Sequence, residues 1–209
     1  MGQLNVEHIV GTNFLIRPDG VADFVTARSE AGVVGVPLTD MRTWDALATN
    51  VVGTAGNDDL ALVTGTPGTN APSIQTGDLK NAGATTRKVG FEFKVPEWYI
   101  PGSTITLSME GGMTTTVASA SCTVDCNAYV EDYANNDGTM SGDLCATAAQ
   151  SINSLTFATV SFVIDDDATG YVIAPGDVLQ FILSIACNDS GTGTAVIGTL
   201  RDIRVTFSE

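Results

Sequence analysis

Residues Lys88 to Val95 read Lys-Val-Gly-Phe-Glu-Phe-Lys-Val, apolar at every second position. In extended backbone successive side chains face opposite ways, so Val89, Phe91, Phe93 and Val95 share one face and Lys88, Gly90, Glu92 and Lys94 the other. That is the pattern of a half-buried antiparallel strand, and it excludes a helix there. Thr104 to Glu110 and Cys122 to Val130 alternate in the same way, the second placing Cys122, Val124, Cys126, Ala128 and Val130 together. Leu155 to Ile164, Val178 to Cys187, Thr194 to Thr199 and Ile203 to Phe207 complete the strand-like runs. Several strands separated by turn residues imply an all-β, antiparallel β-sandwich.

A weak internal echo narrows the topology. Phe91 to Val95 leads to Pro101-Gly102-Ser103 and a strand, and Phe162 to Ile164 leads to Pro175-Gly176-Asp177 and a strand. Two such halves favour a jelly-roll-like sandwich, although Pro-Gly turns are also common between unrelated strands.

Residues 1 to 40 read differently, as an extended N-terminal arm or hairpin ahead of a sandwich over 41 to 209. Phe14 to Arg17, a Pro18-Asp19-Gly20 turn and Val21 to Thr26 form the hairpin. Such a piece buries little alone, so it either docks on a neighbouring subunit or adds strands to the main sheet. Met41 to Val52 is ambiguous between a helical turn and a short turn with Trp44 plugging the core. Gly53 to Ala84 reads as a long ordered loop, a place where binding often resides.

Chemistry-bearing residues are scarce. The only histidine is His8, which leaves no imidazole for a Ser-His-Asp or Cys-His site. No nucleophile elbow, phosphate-cradling loop or zinc-protease motif is present. The expected class is therefore non-enzymatic, with no cofactor. The net charge of −15, from 9 Lys plus Arg against 24 Asp plus Glu, opposes nucleic-acid binding. No apolar stretch reaches the roughly 18 residues of a membrane span. The opening residues Met1 to Val6 lack the basic and apolar regions of a signal peptide, so synthesis in the cytoplasm is expected.

The acidic stretch from Glu131 to Gly138, ending near Asp143, resembles a calcium loop. In that register Tyr133 and Leu144 fall where the first and last carboxylates are needed, so a solvated Asn-Asp-Gly turn is expected and no metal is assigned. Asp165-Asp166-Asp167 is expected to guard a sheet edge. Cys122 and Cys126 would lie on one face about 13 Å apart, too far to bond to each other. Buried free thiols are expected, with cross-strand pairing to Cys145 or Cys187 left open. Candidate partner-binding residues are Phe14, Leu15, Ile16 and Phe24 in the hairpin and the Trp98-Tyr99 pair between Pro96 and Pro101. For Trp98 the alternative is a cap over one end of the sandwich.

Five strings carry a family resemblance: Leu60 to Thr66; Thr76 to Lys80 with Thr85-Thr86-Arg87; Ala149 to Leu155; Pro175 to Leu179; and Thr194 to Gly198. Together they resemble β-proteins of tailed-phage and environmental viral genomes, similar to capsid decoration (cement) proteins. The resemblance covers roughly residues 41 to 207 and supplies no site. It implies a virion protein on the outer capsid surface, a homo-oligomer with a trimer favoured, whose partner is the major capsid protein. Two other classes stay open: a tail, fibre or filament subunit assembled by strand addition, and a carbohydrate-binding or adhesion module using Trp98, Tyr99 or the loops from Gly53 to Ala84.

Overall fold

The computed structural model describes residues 13–16, 22–25, 32–131, 140–165 and 171–208. The alternating segments become long strands, each burying one face. β8 (Thr85–Lys94), β9 (Thr104–Met113), β10 (Ser121–Glu131), β12 (Ala158–Ile164), β13 (Val178–Asn188) and β14 (Gly198–Ser208) carry the architecture. Shorter strands are β3 (Gly32–Gly35), β4 (Arg42–Thr43), β5 (Ala46–Asn50), β6 (Ala61–Val63), β7 (Ser73–Gln75) and β11 (Gln150–Ser151). A short 3-10 turn spans Leu38–Asp40, and no α-helix occurs among the described residues. No helix there is long and apolar enough to cross a membrane.

Two antiparallel sheets result. One has six strands in the order β11-β10-β13-β8-β4-β5; the other runs β12-β9-β14-β7-β6, with β3 also pairing β14. From β8 to β14 the long strands alternate between the sheets, and early strands pair with late ones: β8 lies beside β13 and β9 beside β14. This is a jelly-roll-like sandwich. The two Pro-Gly turns of the sequence echo launch β9 and β13, and both use the left-handed region only glycine enters freely, with φ of 87° at Gly102 and 92° at Gly176.

The inward faces meet in one apolar core that includes Phe91, Phe181, Leu183 and Ile185 from the first sheet and Leu107, Phe162, Leu200 and Val205 from the second. Phe91 stacks on Phe181 at 4.9 Å within a sheet, and Phe93 reaches across to Phe207 at 6.0 Å. At Gly198 the sheets approach so closely that a Cβ would lie 2.9 Å from Ile185 Cγ2 and 3.2 Å from Cys122 Sγ.

Several expectations need correction. Cys122 and Cys187 are disulfide-bonded, not free: they are register partners on β10 and β13, with Cα atoms 4.1 Å apart. Thr194 to Thr199 and Ile203 to Phe207 are not two strands; most of this stretch is the single strand β14, with a register shift between Arg201 and Arg204 where Asp202 takes a positive φ. Met41 to Val52 forms the β4–β5 hairpin, and its Trp44 does not plug the core. The region from Gly53 to Ala84 contributes β6 and β7 to the second sheet.

By contacts the chain divides into Met1–Ala31 and Gly32–Glu209. The first unit contains β1 (Asn13–Ile16) and β2 (Ala22–Val25), an antiparallel pair with Phe14 opposite Phe24. Residues 32 to 40, expected with the arm, belong to the sandwich, because β3 pairs with β14. The acidic stretch from Asp132 to Gly138 and the pair Asp166 and Asp167 lie outside the described residues.

Candidate functional site

Where the inner residues of β10, β13 and β8 form core, their alternates form the outer, mostly half-buried face of the sheet. Cross-strand register arranges that outer face in rows: Asp125, Ser184 and Lys88; Asn127, Ile182 and Gly90; Tyr129, Gln180 and Glu92. The middle row has a glycine for a reason. A Cβ on Gly90 would lie 2.8 Å from Leu47 Cδ2 and 3.5 Å from Trp44 Cα, so the β4–β5 hairpin folds onto the sheet there.

The hairpin delivers Trp44 to this face. Its Nε1 donates to Asp58 Oδ2 at 3.2 Å, and Lys88 Nζ sits 4.2 Å from the ring centroid, a cation–π contact that fixes the indole. Tyr129 stands on β10, two strands from β8, in the row next to that of Gly90. Both aromatics are half-buried. Burial, then Asp143 and Cys126, push the Tyr129 phenol above its ordinary value.

Polar side chains flank Ile182 at the centre of this face. Gln180 Nε2 donates to Glu92 Oε1 at 3.1 Å, and Asn127 Nδ2 donates to Asp143 Oδ2. Asp143 Oδ1 also accepts the backbone N–H of Ala128 and of Cys145, each at 3.0 Å. The segment carrying Asp143 is thereby held along the β10 edge. Beside Trp44, burial and then Asp45 and Asp58 push the Asp59 carboxyl above its ordinary value. Its Oδ1 is buried without a hydrogen-bond partner among the described residues.

The expected binding residues are placed elsewhere. Tyr99 is 3 % exposed; its ring meets Phe207 edge-on at 5.5 Å and its O–H donates to the Ser103 carbonyl at 3.1 Å. Trp98 is half-buried against the same Phe207 at 5.2 Å, and its ring fills the space a Gly32 side chain would need. Both rings pack on Phe207, with Tyr99 buried and Trp98 half-buried. Phe14, Leu15, Ile16 and Phe24 lie on β1 and β2, and their side chains are outside the described residues. The loops from Gly53 to Ala84 contain no aromatic residue. They help line an apolar groove of about 770 Å³ with Pro37, Leu38, Leu62 and Pro72. Among the described residues no three His, Cys, Asp or Glu side chains are grouped to hold a metal ion.

Sequence reasoning missed Trp44 and Tyr129 as a pair. Tyr129 was legible as an outward position on an alternating strand. Trp44 carried no such signal, because its place depends on a hairpin packing over Gly90.

No family model matches this chain, and no curated protein matches it. Among solved structures it is similar to the xylan-binding module CBM15, 14 % identical with a TM-score of 0.46, over 86 % of this chain and 99 % of that one. It is also similar to the CBM22-1 xylan-binding domain of Paenibacillus barcinonensis Xyn10C, 11 % identical with a TM-score of 0.40, over 88 % and 99 %. A third is TmCBM61, solved with β-1,4-galactotriose, 11 % identical with a TM-score of 0.39, over 87 % and 90 %. At these values the neighbours assign no ligand to this chain.

Proposed function

We propose that this protein is a non-enzymatic glycan-binding module whose binding surface is the outer face of the six-stranded sheet. The observation that carries this reading is the presence of Trp44 and Tyr129 on that face, with Asn127, Gln180 and Glu92 beside them. A sugar ring offers apolar C–H faces to stack on aromatic rings and hydroxyls that both donate and accept. Amide and carboxylate side chains answer the hydroxyls in both senses, and rings held against the sheet answer the C–H faces with little entropy to lose. Trp44 is held by Asp58 and Lys88 before any ligand arrives.

The test is binding of the purified chain to a panel of soluble polysaccharides, read by affinity electrophoresis and by intrinsic fluorescence. Retardation by at least one polysaccharide, with a change in tryptophan emission, is expected. Trp44 and Trp98 are the two tryptophans, and only Trp44 lies on the proposed surface. No retardation by any polysaccharide would overturn the proposal.

A second reading, capsid decoration as a homo-oligomer on the major capsid protein, is favoured by the separate N-terminal unit Met1–Ala31, which a neighbour could receive. Its discriminating observation is copy number in purified virus particles. A number comparable to the capsid protein is expected on that reading, and absence from particles would contradict it.

A further inference from the structure

Cys126 and Cys145 are the cysteines outside the disulfide, and they line one groove. β10 aims Cys126 inward near its edge, where it is 2 % exposed. The neighbouring segment is sutured to that edge: Leu144 donates its N–H to the Ala128 carbonyl at 2.8 Å, and Asp143 accepts from both Ala128 and Cys145. This register carries Cys145 alongside Cys126 at the mouth of an opening of about 380 Å³, also lined by Asp125, Asn127, Asp143 and Thr147. Cys126 Sγ donates to the Asn127 carbonyl at 3.7 Å and Cys145 Sγ to the Thr147 carbonyl at 3.6 Å, on the wall of that groove. Nothing in the glycan reading uses them.

We propose that Cys126 and Cys145 are a reactive thiol pair for small-molecule disulfides, with Cys145 attacking and Cys126 resolving, and that the product is a second internal disulfide. The roles follow from position: Cys145 is half-exposed in the groove and Cys126 lies behind it. The interaction between the neighbouring thiols lowers the Cys145 thiol from its ordinary value and, with burial, raises that of Cys126, which separates nucleophile from resolver in the same sense. The Cys145 thiolate attacks one sulfur of the small disulfide, whose S–S bond breaks, and the departing thiolate takes a proton. Cys126 then gives its proton to solvent and attacks the Cys145 sulfur of the mixed disulfide, expelling the second small thiolate. The protein loses two electrons and two protons, and the small disulfide gains them as two thiols. The new bond staples the Asp143 segment to β10, beside the Asn127 end of the outer face.

The experiment treats the folded full chain with glutathione disulfide and follows it by intact-mass and non-reducing peptide mass spectrometry. The expected product has lost two hydrogens, retains no glutathione and yields a peptide cross-linked between Cys126 and Cys145. In Cys126→Ala the reaction should stop at a glutathione adduct on Cys145. In Cys145→Ala no adduct should form. A stable adduct on wild-type Cys145, or a folded wild-type chain that does not react while the denatured chain does, would overturn the proposal. The wild-type result needs no variant to fold.

Discussion

A single buried carboxylate shows how the loops at one end are fixed. Asp189 is fully buried, yet it accepts from the Asn81 and Ser119 backbone N–H groups, each at 2.8 Å, and from the Thr192 hydroxyl at 2.6 Å. The Thr192 hydroxyl, then the Ser119 and Asn81 amides, outweigh desolvation and hold the carboxyl far below the usual carboxylate range. The folded value is depressed, so the stabilisation is complete above the unfolded value near 3.8 and is lost as pH falls towards the folded one. Asp189→Asn should therefore lower Tm by several degrees at neutral pH and flatten the acid limb below about pH 4. Thermal melts from neutral to acid pH check this, and equal acid limbs in the two proteins would contradict it. Asp189 was invisible in the sequence, because its partners lie at positions 81, 119 and 192 and only the folded chain assembles them.

At the scale of the element, strand identity was legible and strand pairing was not. The alternation of Lys88 to Val95 and Cys122 to Val130 reads directly as β8 and β10, because burial of one face imposes a period of two. What lies beside each strand depends on contacts far apart in the chain. Free thiols were expected because a sequence separation of 65 between Cys122 and Cys187 hides their shared register. Likewise Thr194 to Thr199 and Ile203 to Phe207 read as separate strands, because a bulge at Asp202 interrupts the alternation that β14 otherwise continues. The disulfide has a measurable consequence. Closing a loop of that length restricts the unfolded chain, which in the chain-entropy view stabilises by about 4 kcal/mol. The paired Cys122→Ser and Cys187→Ser substitutions should lower Tm by about 10 °C in a chain of this size. A thermal melt unchanged by both substitutions would show that the bond adds nothing to stability.

For the whole molecule, a near-absence of reactive groups and an alternating strand pattern already implied an all-β scaffold for recognition. The conspicuous Trp98-Tyr99 pair packs against Phe207, which the sequence alone did not distinguish from an exposed anchor. Trp44 and Tyr129 reach one sheet face only when the β4–β5 hairpin lies on β8 and β10 pairs with β13. Recognition through that face makes a demand that loop-borne or arm-borne binding does not: truncating either ring must weaken binding while truncating Trp98 leaves it intact. The decisive measurement is the Kd for a retained polysaccharide with wild type, Trp44→Ala, Tyr129→Ala and Trp98→Ala, each checked for folding by its melt. Losses of at least about tenfold, or about 1.4 kcal/mol, are expected for Trp44→Ala and Tyr129→Ala, with Trp98→Ala within twofold of wild type. Unchanged affinity in the first two variants, or loss confined to Trp98→Ala, would contradict the assignment of the outer sheet face as the binding surface.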